Sequence, residues 1–498
     1  MGFLKANSKF PPTEWEYWMY KYDEYAAWYS GEPNNLLQFY VRSAMFPEVE
    51  NGLFWARVEK EERSNIVHLP AAGDVASTSA NLLFSESPKF GYDEKAAGGD
   101  RIKMFIKENG LLNMLLEGAE ISAALSGCFL KLDIEPELVK IPILSIVTPM
   151  QCFPTFWRGR LWEVLFYRVV KYEQGDAVVW RLFENRKREN GNLVIEYQLY
   201  KGTKDKVGTV QAINAIEETK NITLEPVSYA MEGLGCVYIP NMRPNRLMPN
   251  SALGINDFSG CISLLDSLDF AWTSWMRDIE LGMGQLLVDE DLLEKDVDST
   301  TGDTTKFNKF TKAFLTLNMG QWRMGGENVK PIEIVQFELR VAEHAQTCDA
   351  LFKNIVTQCG YAPQSFGYSD EGGVAESGKA LRIRERKSLL TREKKARYWT
   401  PSLTSLFQQM QQMDKCSSLN TGASAPQEVE IELEDSIVVD ASEVSETLRN
   451  LDQARAVSIY TKVKMLHPYW KEEDIVAEAD LIVKEQGLTP SSFDEVDG

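Results

Sequence analysis

Two long stretches in the second half of the chain carry apolar residues at every third or fourth position. The first lies within 257–283 and comprises Phe258, Ile262, Leu265, Leu268, Trp272, Met276, Ile279 and Met283. The second follows Pro331 and comprises Phe337, Val341, Ala345, Cys348, Phe352, Ile355 and Cys359. This spacing predicts two amphipathic helices. At about 1.5 Å per residue the first would be about 40 Å long.

A third helix is predicted over 379–413, with a kink or break just before Pro401 because proline removes a helix hydrogen bond. A Ser/Gly/Ala/Pro linker over 417–427 and a strand in VEIELEDSIVV follow it. The end of the chain is helical in pattern and acidic. From Ser417 to Gly498 there are 18 acidic and 6 basic residues, a net charge of −12.

The first half mixes helices with alternating strands. Helices are predicted near 67–87 and 100–125, and an aromatic stripe over 13–29 predicts a helix that packs in a core or against another subunit. Four stretches between 139 and 240 alternate apolar and polar residues and are separated by turn residues, which predicts an antiparallel sheet (LWEVLFYRVV, AVVWRLFE, NLVIEYQLY and VGTVQAI). The fold class is therefore α+β.

Composition excludes several classes of function. No stretch approaches the roughly 18 uncharged apolar residues of a membrane helix, and the N-terminus lacks the apolar core of an export signal. The 7 cysteines are odd in number and scattered, which favours reduced thiols in a cytosol. With 3 histidines a histidine-rich metal site is not expected, and neither a metal nor a cofactor is predicted.

The order of the elements and three quoted segments resemble the portal proteins of tailed bacteriophages, in particular those of long-tailed phages of Gram-positive hosts. DFSGCISLLDSLDFAWTSWMRDIELGMGQLLV resembles their first stem helix. IEIVQFELRVAEHAQTCDALFKNIVTQCGYAPQSFGYSDEGG resembles their second stem helix and tunnel loop, and SIYTKVKMLHPYWKEEDIVAEADLIVKEQG resembles their C-terminal helical segment. The resemblance covers roughly residues 60–490, and in the sheet region it lies in the pattern of apolar and polar residues more than in residue identity.

The resemblance implies a portal fold with a mixed wing domain, a two-helix stem, a clip, a long kinked helix and an α-helical crown. Its parts map onto this chain as a wing (1–250, with a strand at 428–440), stem helix 1 (254–286), a clip (287–331), stem helix 2 (332–360), a tunnel loop (361–377), the long kinked helix with the wing strand (378–440) and a crown (441–498). The departure from the family is the run VAESGKALRIR after the glycines, which leaves the start of the long helix open.

The resemblance also implies a function and its partners. The chain would be one of about twelve copies in a homo-oligomeric ring at one capsid vertex, a head-to-tail connector for packaging and ejecting double-stranded DNA. Its other partners would be the terminase motor, a head-completion adaptor, and the major capsid and scaffolding proteins, with no membrane. The location implied is the virion, with the host cytoplasm during assembly.

Three groups of candidate residues follow. The tunnel loop offers a polar, weakly acidic surface, as expected for a DNA channel that must not hold phosphates (Gln364, Ser365, Phe366, Tyr368, Ser369, Asp370 and Glu371). An acidic run in the clip would form either a solvated loop that serves as a docking surface or a divalent cation site, and the solvated loop is favoured (Asp289, Glu290, Asp291, Glu294, Asp296, Asp298 and Asp303). One basic cluster lies on the long helix (Lys379, Arg382, Arg384, Arg386, Lys387, Arg392, Lys394, Lys395 and Arg397).

The basic cluster separates the charge of the chain. Its nine bases and the two acids among them, Glu385 and Glu393, give a net charge of +7. Because the whole chain carries −20, all the other residues together carry −27. The cluster would contact either DNA phosphates or acidic faces of neighbouring subunits, and the acidic background slightly favours the subunits.

No catalytic residue is predicted. Residues Gly373 to Ala380 nearly match a phosphate-binding P-loop, but Ala380 lacks the hydroxyl that would bind Mg²⁺, and no apolar strand leads into the loop. His344 lies beside Glu343 in a predicted helix and is interpreted as a surface or interface residue rather than a general base. The alternatives left open are a nucleic-acid-processing enzyme of a packaging machine and a capsid or tail scaffold without a channel.

Overall fold

The computed structural model describes residues 2–42, 52–58, 65–96, 98–173, 175, 177–282, 285–289, 314–317, 332–335, 339–368, 378–417, 426–433, 441–467, 470 and 472–485. Helices and strands alternate irregularly along the chain, as the sequence predicts for an α+β fold. The helices are α1 (Glu16–Tyr29), α2 (Pro33–Arg42), α3 (Phe54–Arg57), α4 (Ala71–Phe84), α5 (Gly99–Glu108), α6 (Leu111–Leu125), α7 (Ile262–Leu281), α8 (Val341–Cys359), α9 (Gly378–Cys416), α10 (Ala441–Gln453), α11 (Ile459–Leu466) and α12 (Glu472–Glu485).

The strands of the described part of the chain form four sheets. They are β1 (Lys89–Gly91), β2 (Gly127–Asp133), β3 (Ile143–Val147), β4 (Cys152–Trp157), β5 (Arg160–Glu173), β6 (Val178–Glu189), β7 (Asn192–Gly202), β8 (Thr209–Gln211), β9 (Val227–Tyr229), β10 (Cys236–Pro240), β11 (Gln285–Asp289), β12 (Phe314–Leu317), β13 (Ile332–Val335) and β14 (Glu430–Glu432). The sheet orders are β4-β5-β6-β7-β8 with β9 beside β7, β10-β2-β3, β12-β11-β13, and β1-β14.

The largest sheet confirms the antiparallel prediction. Its neighbouring strands all pair antiparallel, including the hairpin in which Glu189 of β6 faces Asn192 of β7. That hairpin closes through Asn190 and Gly191, both with positive φ (52° and 84°), the conformation that a two-residue turn matching the strand twist requires.

The aromatic helix α1 lies in the core of the first half. Trp18, Tyr22, Tyr25 and Trp28 are buried, and the Trp28 indole donates a hydrogen bond to the Tyr40 hydroxyl at 2.9 Å. The core interpretation of this stripe is therefore confirmed, since these rings are buried within the subunit.

The long helix α9 forms the second core together with α4, α5, α6 and the sheet β10-β2-β3. Trp399, Leu403, Leu406 and Phe407 are buried along one face of it. Of the expected kink or break at Pro401, the break is wrong, because α9 runs unbroken from Gly378 to Cys416 with the proline inside it. The helix remains continuous without the hydrogen bond that Pro401 cannot donate, because buried residues on both sides of the exposed proline pack against the core.

Two predicted helix starts are also wrong. Helix α7 begins at Ile262 and not at Asp257, because Asp257 lies buried at a junction described below. Helix α8 begins at Val341 and not after Pro331, because Ile332–Val335 pairs as strand β13 with β11. Ile332 and Ile334 alternate with the polar Glu333, which is the period of a strand.

A buried charge cluster joins the two sheets of the first half. The Arg186 guanidinium is fully buried, lies 2.6 Å from the Glu184 carboxylate and 2.5 Å from that of Asp133, and donates to the carbonyls of Leu132 and Gly235. Burial alone would raise the pKa of Glu184, but Arg186 and Lys131 outweigh it and lower that pKa to about 2. The stabilisation is therefore present above about pH 4.5, the ordinary pKa, and is lost as the pH falls toward 2.

Removing the Arg186 charge should destabilise the fold, because two carboxylates would be left without their cation. We expect Arg186→Met to lower the free energy of unfolding by about 3–5 kcal/mol in urea denaturation at pH 7. Lys187→Met is the matched control, since Lys187 forms only partly exposed ion pairs with Glu189 and Glu196 and should cost less than about 1 kcal/mol. Equal losses for both variants would contradict a structural role for the cluster.

Candidate functional site

Helices α7 and α8 form an antiparallel hairpin that two contacts define. At one end the Sγ atoms of Cys261 and Cys359 lie 3.7 Å apart. At the other end the Asp278 carboxylate is 2.6 Å from Arg340 and 2.8 Å from His344. His344 and then Arg340 lower the pKa of Asp278 below its ordinary value through their hydrogen bonds. His344 thus ties the two helices together, and its ring stacks on that of Trp275 with centroids 6.0 Å apart.

The first turns of α7 are held by backbone groups of the N-terminal region. The Asp266 carboxylate accepts hydrogen bonds from the backbone N–H groups of Phe54 (2.7 Å) and Trp55 (3.2 Å). The Asp269 carboxylate accepts from the Trp55 indole at 2.9 Å and lies 2.7 Å from the His68 ring. Burial raises the pKa of Asp266. Two acidic residues of α7 are therefore buried because they accept hydrogen bonds from a chain segment more than 200 positions away.

A buried junction lies at the base of the hairpin. The Lys395 ammonium is 2.6 Å from the Asp257 carboxylate, with both side chains almost fully buried. Asp257 also accepts hydrogen bonds from the Tyr361 hydroxyl and the Asn241 amide, each at 2.7 Å, and Lys395 donates to the Ser79 hydroxyl at 2.5 Å. Burial lowers the pKa of Lys395, and the Asp257 carboxylate opposes that shift. This one ion pair joins five parts of the chain. They are α9, α4, the segment that enters α7, the segment that leaves α8, and the segment after β10.

The chain leaves α8 in a conformation that only glycine adopts easily. Gly360 has φ +100° at the helix C-terminus, and the Tyr361 N–H bonds back to the Val356 carbonyl at 3.1 Å, a left-handed capping motif. A Cβ at Gly360 would lie 2.9 Å from the Thr391 hydroxyl, which itself donates to the Gly360 carbonyl. The cap therefore delivers Tyr361 into the junction and sets the direction of the following loop.

The part of the predicted tunnel loop that is described packs against its own subunit. Gln364, Ser365 and Phe366 lie in a short 3-10 turn, where the Ser365 hydroxyl is 2.8 Å from that of Ser388 on α9. Phe366 and Tyr368, expected as exposed aromatics, are half-buried instead, because both rings pack on Phe352. Ser369, Asp370 and Glu371 lie outside the described residues.

The basic cluster of α9 divides into buried and exposed members. For Lys395 the expected contact with DNA or a neighbour is wrong, because its charge is buried against Asp257. Arg392 is also buried and donates to the Leu82 carbonyl at 2.7 Å, and Lys387 donates to the Thr357 carbonyl. The exposed side chains are Arg384, Arg386, Lys387, Lys394 and Arg397, whereas those of Lys379 and Arg382 are not described.

The acidic run of the predicted clip is described only at its start. Asp289 ends β11 and stands opposite Leu317 of the parallel strand β12. Glu290, Asp291, Glu294, Asp296, Asp298 and Asp303 lie outside the described residues. The three-stranded sheet β12-β11-β13 nevertheless occupies the segment between the two hairpin helices in sequence.

The sequence analysis missed Asp257, Tyr361, Ser79 and Asn241 as the centre of the site. One signal was present: Lys395 lies on the helical stripe of Thr391 and Trp399, four residues from each, where an unpaired lysine would be buried. A lysine on an apolar stripe requires a buried acid, but the pattern does not say which acid. Among the described residues, no group of three or more His, Cys, Asp or Glu is placed to hold a metal ion, and no helix is long and apolar enough to cross a membrane.

Comparisons with known proteins give one family and a distant structure. A family model described as "Phage portal protein, SPP1 Gp6-like" matches residues 13–487. A chain from the structure "Neck of native GTA particle computed with C12 symmetry" aligns at a TM-score of 0.39 and 12% identity, covering 81% of this chain and 91% of that one. No curated protein matches the chain significantly.

Breaking the junction should unfold its surroundings, because Asp257 would remain charged in a buried site. We expect Lys395→Met to lower the free energy of unfolding by about 3–5 kcal/mol, measured by urea denaturation. Lys394→Met removes the same group from the neighbouring exposed position and should cost less than about 1 kcal/mol. A small loss for Lys395→Met would show that the ion pair does not hold these elements together.

Proposed function

The chain belongs to the SPP1 Gp6-like family of phage portal proteins, and on that premise we propose that it is the subunit of a closed ring through which double-stranded DNA enters and leaves a capsid. The ring would hold about twelve copies related by rotation, each using two different surfaces to contact its neighbours. It would lie at one vertex of the capsid in the virion, assembled in the host cytoplasm, and connect the head to the tail.

One observation carries this proposal: the α7–α8 hairpin is covered near its base, and its other end exposes apolar side chains. Asp266 and Asp269 bind the N-terminal region near the base, where Phe270 packs on Phe54. At the Asp278 end, Leu281 is 50% exposed and Val341 49% exposed, and Ile279 and Leu339 are exposed as well. Large apolar side chains grouped on one helical element indicate a surface that a partner covers. In a ring the next subunit would cover it.

We assign the parts of the fold by their order and contacts. The wing comprises the N-terminal helices and the largest sheet, with β14 joined to it through β1. The stem is the α7–α8 hairpin, the clip is the segment containing β11, β12 and β13, and the crown is α10 to α12. The clip would dock the terminase motor and the head-completion adaptor, and the wing would face the major capsid and scaffolding proteins.

The bore would be lined by the loop between Tyr368 and Gly378. Its ends are well anchored: Tyr368 packs on Phe352, and Gly378 begins α9. A conduit should repel the duplex, because each phosphate neutralised by a base releases counterions and adds affinity that would slow its passage. The acids Asp370 and Glu371, together with the absence of Lys and Arg between Tyr361 and Gly378 in the sequence, support this assignment.

The exposed bases of α9 would pair with acidic faces of neighbouring subunits. The helix itself is anchored by the buried Lys395 and Arg392, so Arg386, Lys394 and Arg397 are presented by a fixed backbone. A chain with a net charge of −20 offers many acidic faces to them. Portal proteins of this family are structural rather than enzymatic, which favours this role over an enzyme of the packaging machine.

Covering the hairpin should be required for ring formation. We expect Leu281→Glu to weaken assembly strongly, because a carboxylate would have to be buried at the contact, and sedimentation and negative-stain microscopy would show monomers in place of rings. The control Leu112→Glu changes a residue of similar exposure (40%) on α6 and should leave rings intact. An unmodified chain that remains monomeric at micromolar concentration and moderate salt would refute the ring itself.

Reversing the charge of the loop tests the bore. The double variant Asp370→Lys/Glu371→Lys adds four charge units per subunit, or about 48 around a twelve-fold ring. We expect rings that assemble normally but package or eject DNA more slowly, with the defect partly relieved by added salt. The control Glu108→Lys/Glu117→Lys makes the same charge change at exposed positions of α5 and α6. Normal packaging by the loop variant would place the loop away from the DNA path, and failure to assemble would make it an interface element.

A further inference from the structure

The hairpin between β4 and β5 ends in the sequence Trp157-Arg158-Gly159-Arg160-Leu161-Trp162, called here the Trp–Arg tip. Trp157 is 64% exposed and Trp162 is 52% exposed. Arg158 and Arg160 are exposed as well, and within the described residues neither forms an ion pair or a side-chain hydrogen bond. Two indoles and two guanidinium groups therefore project together from the end of a sheet with no partner in the described part of the subunit.

The backbone of the tip is a tight two-residue turn. Trp157 pairs with Arg160, and the residues between them, Arg158 and Gly159, have φ values of 50° and 76°. Asn, Asp and Gly are the residues that favour this turn, so an arginine in its left-handed first position works against local preference. The turn fixes the direction of the tip, and tryptophan and arginine are the side chains most enriched at the energetic centres of protein interfaces.

A cleft of about 770 Å³ lies in the same domain with the complementary character. Its walls mix apolar and polar side chains, and Glu135 and Glu218 are exposed at its edge. Next to Glu135, Leu138 is 77% exposed. Deeper in the cleft, Glu184 and Asp133 are balanced by Lys131 and by the buried Arg186 behind them. Arg168 is the remaining base that lines the cleft. The cleft therefore offers apolar surface for indoles and carboxylates for guanidinium groups.

The tip of a subunit cannot reach its own cleft. Both lie along the same strand, since β5 begins at Arg160 beside the tip and contributes Phe166, Tyr167 and Arg168 to the cleft. At about 3.3 Å per residue the two features are roughly 20 Å apart along a strand that β4 and β6 hold extended. Only another molecule can bring a tip of this kind to the cleft.

We propose that the Trp–Arg tip of one subunit docks into the cleft of a second copy of this chain, as a contact between neighbouring wings. The inference rests on the proposed ring, in which every copy presents one tip and receives another. A contact between two different surfaces closes into a ring when rotation relates the copies. Charge complementarity sets the pairing, with Arg158 and Arg160 meeting Glu135 and Glu218.

Charge reversal on each side tests the contact with the full chain. The two double variants are Arg158→Glu/Arg160→Glu and Glu135→Lys/Glu218→Lys. Each should raise the protein concentration needed for ring formation about tenfold, because like charges would face each other. All four substitutions together should restore assembly. These side chains are exposed, so circular dichroism should show an unchanged fold in every variant. Rings that form equally well in all variants would overturn the proposal.

Cross-linking tests the geometry directly. In a Cys416→Ser background, which removes the exposed cysteine, the chain carrying both Arg158→Cys and Leu138→Cys should give a ladder of covalent multimers on mild oxidation with copper phenanthroline. Either substitution alone should give no ladder. Rings without a ladder would refute the tip contact and leave the ring intact, whereas absence of rings in the unmodified chain would refute the proposed function. A tip-reversed variant that still forms rings but loses binding to a duplex DNA fragment would make the tip a DNA-contact surface and overturn the proposal.

Discussion

The buried ion pair between Lys395 and Asp257 is the constraint on which the rest of the structure depends. It joins the long helix to the segment that enters α7, and Tyr361 joins the segment that leaves α8 to the same carboxylate. Two opposite charges removed from water stabilise a fold only when their geometry is good and their other hydrogen bonds are made. Asn241 and Ser79 supply those bonds. Any displacement of the hairpin base relative to α9 would leave a charge unpaired, so the pair defines one position for the hairpin and the loop that follows it.

Local periodicity was sufficient to predict the existence and type of the main elements. From Ile262 and from Val341 onward the two stripes lie on helices, and the alternation after position 150 lies on a sheet, because each pattern reflects one buried face. Helix starts were wrong where tertiary contacts decided them, at Asp257 and at Ile332. The junction itself was beyond local pattern. Its members are separated by up to 316 positions, the distance from Ser79 to Lys395, and each alone is an unremarkable polar residue.

Charge counting along the sequence overstated the basic surface of α9. It grouped nine bases by proximity in the chain, whereas on a helix neighbouring residues point in different directions. Lys395 and Arg392 face the core and serve to hold the helix, and only part of the cluster reaches solvent. In the proposed function, the same segregation explains how an acidic protein would handle DNA. Bases that satisfy buried acids or anchor helices are unavailable to phosphates, so the surface left to the duplex is more acidic than the composition of the helix implies.

A ring of identical subunits needs two different, complementary surfaces on each copy, and their separation determines the curvature of the ring. The exposed Asp278 end of the α7–α8 hairpin and the Trp–Arg tip lie in different parts of the fold. The first core connects them, because it contains residues of β4, β5 and the start of α7. Contacts at two separated places constrain the angle between neighbours more tightly than one contact does, because a rotation that preserves one of them opens the other. In the proposed ring, the rigidity of the core between them would fix the number of copies, and the Lys395–Asp257 junction would contribute by holding the hairpin to that core.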